Sequence, residues 1–384
     1  MAHHNTVFSQ ILKLVPRHEF ESLARAHHTG RAFRSASRWS QFVAMSLAQL
    51  AGRCSLRDIV DNLGAQAHRL YHLGSAQLAR TTLARLNDDK PYALYEALFG
   101  KLLHRCQAQA PAHGFRFHNR LYSLDASTID VCLSLFPWAK FRSTKGAVKL
   151  HVGLNHAGHL PEFVAISDGK TSDIELGRSL SFPEGSVVVM DRGYTDYSWY
   201  NQLNENGIFF VTRLKSNARY RVVARRSVLK NKGLICDQTI EFTGRQTAGK
   251  CPIRLRRIGY RDPQTGQRYV FVTNRFDLAA KTIADIYKAR WQVELFFKSI
   301  KQNLKIKTFV GTSKNAVMTQ IWIAMCVYLL LAFLKFQSQS GQTIQQILRV
   351  LQLNLFEKRE LMALLRGDPP PNHAPPNPNQ LALV

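Results

Sequence analysis

The run Ser186-Val187-Val188-Val189-Met190 constrains the fold more than any other segment. Its apolar character is continuous rather than alternating, as in a strand buried on both faces at the centre of an α/β sheet. It stops on a carboxylate, in Asp191-Arg192-Gly193-Tyr194. Around it the pattern reads as strands over 121–129, 148–155 and 162–167, a helix over 173–180, the apolar strand, a helix over 197–204 and a strand over 208–212. Turn signals such as Asn155-His156-Ala157-Gly158 separate the early strands. This order predicts a mixed sheet with helices around it.

The flanking segments are of other kinds. Residues 1–115 read as helical, with apolar positions at helical spacing in Val7-Phe8-Ile11-Leu12 and Phe42-Met45-Leu47-Leu50. Ser55, with Asp58 three residues later, predicts a capped helix start. A short helix carrying Arg80 and Arg85 follows Gly74, so the pair reads either as a helix-turn-helix or as ordinary helix packing. Residues 215–268 read as β-rich, 269–273 as strand, 279–304 as one long helix and 343–366 as an amphipathic helix. The apolar run 321–334 has 14 residues, short of the roughly 20 that cross a bilayer, and reads as a buried core helix. Six of the 14 prolines fall in 368–379, which reads as an extended tail.

Charge narrows the class of partner. The 384 residues carry 52 Lys and Arg against 26 Asp and Glu, a net charge of +26, while 45% hydrophobic residues are enough for a core. A surplus of that size points to a polyanion and away from small neutral metabolites. It is densest between Val211 and Tyr260, where 13 basic residues face only Asp237 and Glu241. Binding through such a surface weakens steeply with salt. The six cysteines form no C-x-x-C, the histidines form no H-E-x-x-H, and the N-terminus has no secretory pattern. A reducing cytoplasmic setting without membrane association is expected.

Three carboxylates stand out. Asp125 interrupts an otherwise strand-like run in Leu124-Asp125-Ala126-Ser127-Thr128, and Asp191 ends the apolar strand. Strand ends in α/β sheets face the crevice where ligands bind, and a buried Asp needs a partner, for which a metal ion suffices. The predicted long helix holds Tyr287, Arg290, Glu294 and Lys301. At about 100° per residue these fall in one sector of roughly 60°, beside the apolar stripe Ile286, Val293, Phe297, Ile300 and Leu304. Taken alone, the same edge reads as a solvated charged face. Lys149 and His151, on a neighbouring strand, could approach the site, but an ordinary surface or structural role is the expectation for both. Asp130, five residues from Asp125, falls on the opposite strand face.

This combination resembles the DDE transposases of bacterial insertion sequences, in the branch marked by a Tyr-(2)-Arg-(3)-Glu-(6)-Lys signature. The chain is similar to that branch at Leu124-Asp125-Ala126-Ser127-Thr128-Ile129-Asp130, Trp138-Ala139-Lys140-Phe141-Arg142, Asp191-Arg192-Gly193-Tyr194, Phe210-Val211-Thr212-Arg213 and Trp291-Gln292-Val293-Glu294-Leu295-Phe296-Phe297-Lys298. The likeness covers about residues 5–340.

The resemblance implies an α/β fold: an RNase H-like mixed sheet flanked by helices, with a β-rich insertion and a helical N-terminal domain. The implied organisation is a helical DNA-binding domain over 1–115, the RNase H-like core in two parts over 116–214 and 269–345, the basic insertion over 215–268, and a C-terminal helix and proline-rich tail over 346–384. Asp125, Asp191 and Glu294 would be the catalytic residues and the ligands of two Mg²⁺ ions, with Mn²⁺ as a substitute. Tyr287, Arg290 and Lys301 would hold DNA phosphates. Arg213, Lys215, Arg225, Arg226, Arg254, Arg256 and Arg257 are candidate DNA contacts. The implied activity is metal-dependent cleavage at the terminal inverted repeats of the element, followed by transfer of the 3′-OH ends to target DNA. The partners would be double-stranded DNA and a second copy of the chain, in the bacterial cytoplasm and on the nucleoid. Two alternatives remain: an RNase H-like nuclease without strand transfer, and a non-catalytic DNA-binding inhibitor of transposition. Some relatives stack a flipped base on a tryptophan of the insertion during hairpin formation. Here Trp39, Trp138, Trp199, Trp291 and Trp322 all lie outside it, which leaves Phe242, Tyr220 and Tyr260 as substitutes.

Overall fold

A computed structural model describes residues 5–31, 34, 36–141, 145–229, 232–304, 306 and 308–369. Arg142, Lys230 and the proline-rich tail from Pro370 lie outside the described residues. In chain order come helices α1 (Val7–Lys13), α2 (Arg17–Ala26), α3 (Arg38–Ala51), α4 (Leu56–Ala65), α5 (Ala67–Leu70), α6 (Arg80–Asp89) and α7 (Ala93–Gln107). Then follow β1 (Leu121–Val131), β2 (Gly146–Asn155), β3 (Leu160–Asp168), α8 (Asp173–Ser179), β4 (Val187–Met190), α9 (Tyr197–Glu205) and β5 (Phe209–Arg213). Next are β6 (Tyr220–Arg226), β7 (Leu234–Phe242), α10 (Arg245–Lys250), β8 (Leu255–Arg261) and β9 (Arg268–Thr273). After these come α11 (Ala280–Ala289), α12 (Trp291–Lys298), α13 (Lys314–Ser338), α14 (Ile344–Asn354) and α15 (Leu361–Arg366).

The chain divides into two compact units. One comprises Leu103–Gln302 with Ile306–Met318; the other gathers Met1–Leu102, Asn303–Lys305 and Thr319–Val384. The first is built on one nine-stranded sheet in the order β3-β2-β1-β4-β5-β9-β8-β7-β6. β1, β2 and β3 form an antiparallel meander, and β4 and β5 run parallel to β1. That half of the sheet is the RNase H-like arrangement. The strands of the basic insertion continue the same sheet through β9 as an antiparallel meander.

The apolar strand β4 is buried on both faces, as its composition predicts. Val187 and Val189 pack with Ile283, Ala284 and Ile286 of α11. Val188 and Met190 face the other way, into a core with Trp199, Tyr200 and Leu203 of α9. The expected helix over 279–304 is segmented. α11 ends at Ala289, α12 starts at Trp291, and a π-helical turn spans Ser299–Asn303. Such turns recur at functional sites.

The helical unit forms around α3, which is buried from Trp39 to Leu50. The Ser37 side chain accepts from the Ser40 N–H at its start, and Gly52 ends it at φ 68°. Ser55 caps α4 by accepting from the Asp58 N–H at 3.1 Å, as expected. Residues 66–79, with α5 and a 3₁₀ turn, separate α4 from α6, so this pair lacks the short turn of a helix-turn-helix. α13 is long and apolar enough to cross a bilayer, and its apolar window is 94% buried within the protein. The expected helix over 343–366 is two helices. The first opens with a capping box between Thr343 and Gln346. Gln10 of α1 binds the Arg359 carbonyl at 2.6 Å and the Leu361 N–H at 2.9 Å, tying the first helix to the last.

Candidate active site

Two carboxylates are set by the sheet itself. Leu124 of β1 pairs with Met190 of β4 in a parallel ladder, and the next residues along are Asp125 and Asp191. Asp191 therefore sits at the carboxyl end of β4, where α/β sheets open their ligand crevice, and Asp125 lies beside it within β1, just past the last paired residues. The Ala126 N–H donates to Asp125 Oδ1 at 2.9 Å. The buried Thr212 hydroxyl donates to the Asp191 carbonyl at 3.4 Å, tethering the backbone there.

The α11–α12 segment brings the remaining groups. Its apolar face holds it on the sheet, and the other edge delivers side chains to the acids. The Tyr287 hydroxyl donates to Asp191 Oδ1 at 3.3 Å. Arg290 reaches Asp125 Oδ2 with Nη1 at 3.1 Å and Glu294 Oε1 with Nη2 at 2.6 Å. Lys301, in the π-turn, donates to the Thr128 carbonyl on β1 at 2.5 Å. Five of the six sequence-derived residues thus meet beside the middle of β1 and the carboxyl end of β4, and Lys301 reaches β1 three residues beyond Asp125. The sequence did not reveal that Tyr287 and Arg290 engage the acids directly.

The electrostatics follow from this crowding. Burial pushes the Asp125 carboxyl above its ordinary value. The Ala126 N–H and Arg290 pull it down, while Glu294 and Asp191 repel its charge and push it up. Burial likewise raises Tyr287, which Arg290 and Arg213 partly offset. Tyr194 is raised by burial and by the charges of Asp173 and Asp125, a neighbour that only its place in Asp191-Arg192-Gly193-Tyr194 could have suggested. Among the described residues no three His, Cys, Asp or Glu side chains lie close enough to hold a metal ion as they stand. Arg290 lies between two of the acids instead. Three carboxylates converging from separate elements, with repulsion felt at Asp125, nonetheless suit a hard divalent cation and its oxygen preference.

Other expected neighbours fall elsewhere. Asp125 pairs with Val152 and Ala126 with His151, so Asp125 and His151 point to opposite sheet faces. Lys149 pairs with Asp173 at 2.6 Å, and the His151 ring lies 3.5 Å from the same carboxylate.

In the insertion, Lys215, Arg225, Arg226 and Arg254 are exposed. Arg226 also lies 3.5 Å from Asp237, and Arg254 shares Glu241 with Arg221. Arg213 stacks on Tyr269, and Arg257 binds Gln238 at 2.7 Å while stacking on Tyr220. Arg256 requires a correction: it is 3% exposed and committed to Asp237 and the Leu278 carbonyl, so it offers nothing to DNA as it lies. Phe242 and Tyr260 are buried too and are not placed to stack on a base.

Comparison with known proteins places this site in context. Residues 116–330 match the family model described as the transposase DDE domain. Residues 3–76 match a model described as a domain of unknown function. A protein of Sinorhizobium fredii named as a transposase is 33% identical, over 79% of this chain and 85% of that one. One of Geobacillus stearothermophilus, named for insertion sequence element IS5377, is 30% identical over 73% of each chain. The transposase for insertion sequence element IS231E of Bacillus thuringiensis subsp. finitimus is 19% identical, over 73% of this chain and 71% of that one.

Proposed function

Since the chain belongs to the transposase DDE-domain family, we propose that it cuts DNA at the terminal inverted repeats of an insertion sequence and joins the freed 3′-OH ends to target DNA, as a member of the Tyr-Arg-Glu-Lys branch. The observation that carries this reading is the convergence of Asp125, Asp191 and Glu294 beside β1 and the carboxyl end of β4, with Tyr287 and Arg290 bonded to them and Lys301 on β1 nearby. Asp125, Asp191 and Glu294 would hold the divalent metal, two Mg²⁺ ions or Mn²⁺ in their place. When bound, the metal lowers the pKa of an attacking water and stabilises the leaving oxygen.

The protein's own groups position the DNA. Arg290 presents a planar fork to a phosphate and Lys301 a point charge. The Tyr287 hydroxyl is a further phosphate donor. In the first step water attacks phosphorus, the P–O3′ bond breaks and a 3′-OH is released. In the second, that 3′-OH attacks a target phosphodiester and expels another 3′-oxygen, so no covalent protein intermediate is needed. The exposed cations Lys215, Arg225, Arg226 and Arg254 extend the grip along the backbone of the duplex, and the N-terminal helices bind the end repeats. Transposition needs two ends held together, so the active form is a homodimer on DNA, working in the bacterial cytoplasm.

A strand-transfer assay tests this reading. Purified protein given pre-cut ends and a target duplex in Mg²⁺ is expected to yield joined products. Cleavage of intact ends without joining would make it a nuclease, and binding without either reaction would make it a non-catalytic inhibitor.

A further inference from the structure

The first two members of the Tyr-Arg-Glu-Lys set occupy the acids rather than stand ready for a phosphate. Tyr287 binds Asp191, and Arg290 bridges Asp125 and Glu294, so two side chains engage all three carboxylates. The two also touch each other, with the Arg290 guanidinium 5.8 Å from the Tyr287 ring centre. Arg290 is only 14% exposed, so its attraction to the acids is little screened by solvent. The fit is incomplete, because the buried Nε–H of Arg290 finds no acceptor among the described residues. A guanidinium has five donors and is best satisfied by planar, paired oxygens such as those of a phosphate.

We infer that Tyr287 and Arg290 form an internal latch: they occupy oxygens of Asp125, Asp191 and Glu294 until a divalent cation takes the acids and a DNA phosphate takes Arg290. This rests on reading the three acids as metal ligands. Metal and Arg290 compete for the same oxygens. DNA draws Arg290 away from them, so DNA and metal strengthen each other's binding. By linkage, the factor by which DNA tightens metal equals the factor by which metal tightens DNA. The latch thereby keeps those oxygens occupied by the chain's own side chains until a DNA end is present, which limits metal loading and stray cleavage.

Mn²⁺ binding to the full-length protein, read from the electron paramagnetic resonance of the free ion, tests the latch without any turnover. Without DNA, Arg290→Gln and Arg290→Ala are expected to bind Mn²⁺ roughly tenfold tighter than wild type, a usual size for coupling between sites. A duplex of the element end should tighten Mn²⁺ binding by wild type, after subtraction of binding by the duplex alone, and leave the variants nearly unchanged. Arg290→Gln keeps much of the side-chain length, and circular dichroism checks its fold. The DNA effect on wild type needs no variant, and its absence overturns the latch. Variants that bind Mn²⁺ no tighter than wild type also overturn it, provided that Asp125→Asn and Glu294→Gln abolish binding; the metal site then stands without a latch. If those two acid variants bind Mn²⁺ like wild type, the metal reading fails and the latch with it.

Discussion

Arg256 and Asp237 meet face to face between β8 and β7, Nε to Oδ1 at 2.9 Å and Nη2 to Oδ2 at 2.7 Å. Neither side chain is more than 5% exposed. One of the two acids opposing the basic stretch is thus spent on holding the sheet together. The other, Glu241, accepts from Arg221 and Arg254 across the neighbouring strands. The charge of the insertion is therefore of two kinds: arginines paired within the sheet, and cations on its surface such as Lys215 and Arg225.

Arg256→Ala and Arg225→Ala should accordingly separate. Loss of one partner of a buried pair costs about 3–5 kcal/mol, and Arg256→Ala should lower the denaturation midpoint to match. Arg225→Ala should leave stability within about 0.5 kcal/mol. If Arg225 meets a phosphate, the slope of log affinity against log salt should fall by about 1. Urea melts and salt titrations of DNA binding check both.

Tyr287→Phe removes only the hydroxyl that rests on Asp191 and, in the proposed reaction, donates to a phosphate. A hydrogen bond to a charged group corresponds to roughly a 10- to 150-fold change in rate, and cleavage should fall by that order. Thermal stability and gel-shift affinity should hardly change. Wild-type cleavage by Tyr287→Phe would remove the hydroxyl from the account.

Two buried histidines predict a pH response. Burial lowers His151 to about 4 and His156 to about 3, and both rings are paired with serine hydroxyls, Ser167 and Ser123. The unfolded chain takes up these protons near pH 6.5, well before the folded chain does. Stability is then full above that pH and falls on acidification, by about 1.4 kcal/mol per pH unit for each histidine between the two values. His156→Gln, which keeps a partner for Ser123, should flatten the dependence. Urea midpoints between pH 7 and pH 4.5 measure it.

Gly233 sits at φ 76°, and a Cβ there would lie 2.4 Å from the Arg261 carbonyl oxygen. Gly233→Ala should destabilise the unit that carries the site by more than about 1 kcal/mol. Gly249, in α10 with open space around it, should accept alanine with a gain of up to about 1 kcal/mol. Melting temperatures of the two variants read the contrast.

Much of this was legible in the sequence because local chemistry dictated it. Val187–Met190 had to be a doubly covered strand, Ser55 had to cap a helix, and Asp125, Asp191 and Glu294 stood where strands and a helix edge present acids. What stayed hidden depends on partners distant in sequence. Nothing local marks Arg256 as buried, since its counter-ion lies 19 residues away on another strand. The interruption at Arg290 and the π-turn under Lys301 leave the apolar periodicity intact, so the helix reads as continuous. The grouping of α14 and α15 with the first helices depends on contacts such as Gln10 with Arg359, which no periodicity reveals.

In the proposed reaction Asp125, Asp191 and Glu294 act together as the cleavage centre. The most direct test of that role is the Mg²⁺-dependent cutting of a duplex carrying the element's inverted repeat by Asp125→Asn, Asp191→Asn and Glu294→Gln, with gel shifts run in parallel. Each single variant is expected still to bind the duplex, and none to cut it at a measurable rate. Cleavage near the wild-type rate by any one of the three would contradict that role.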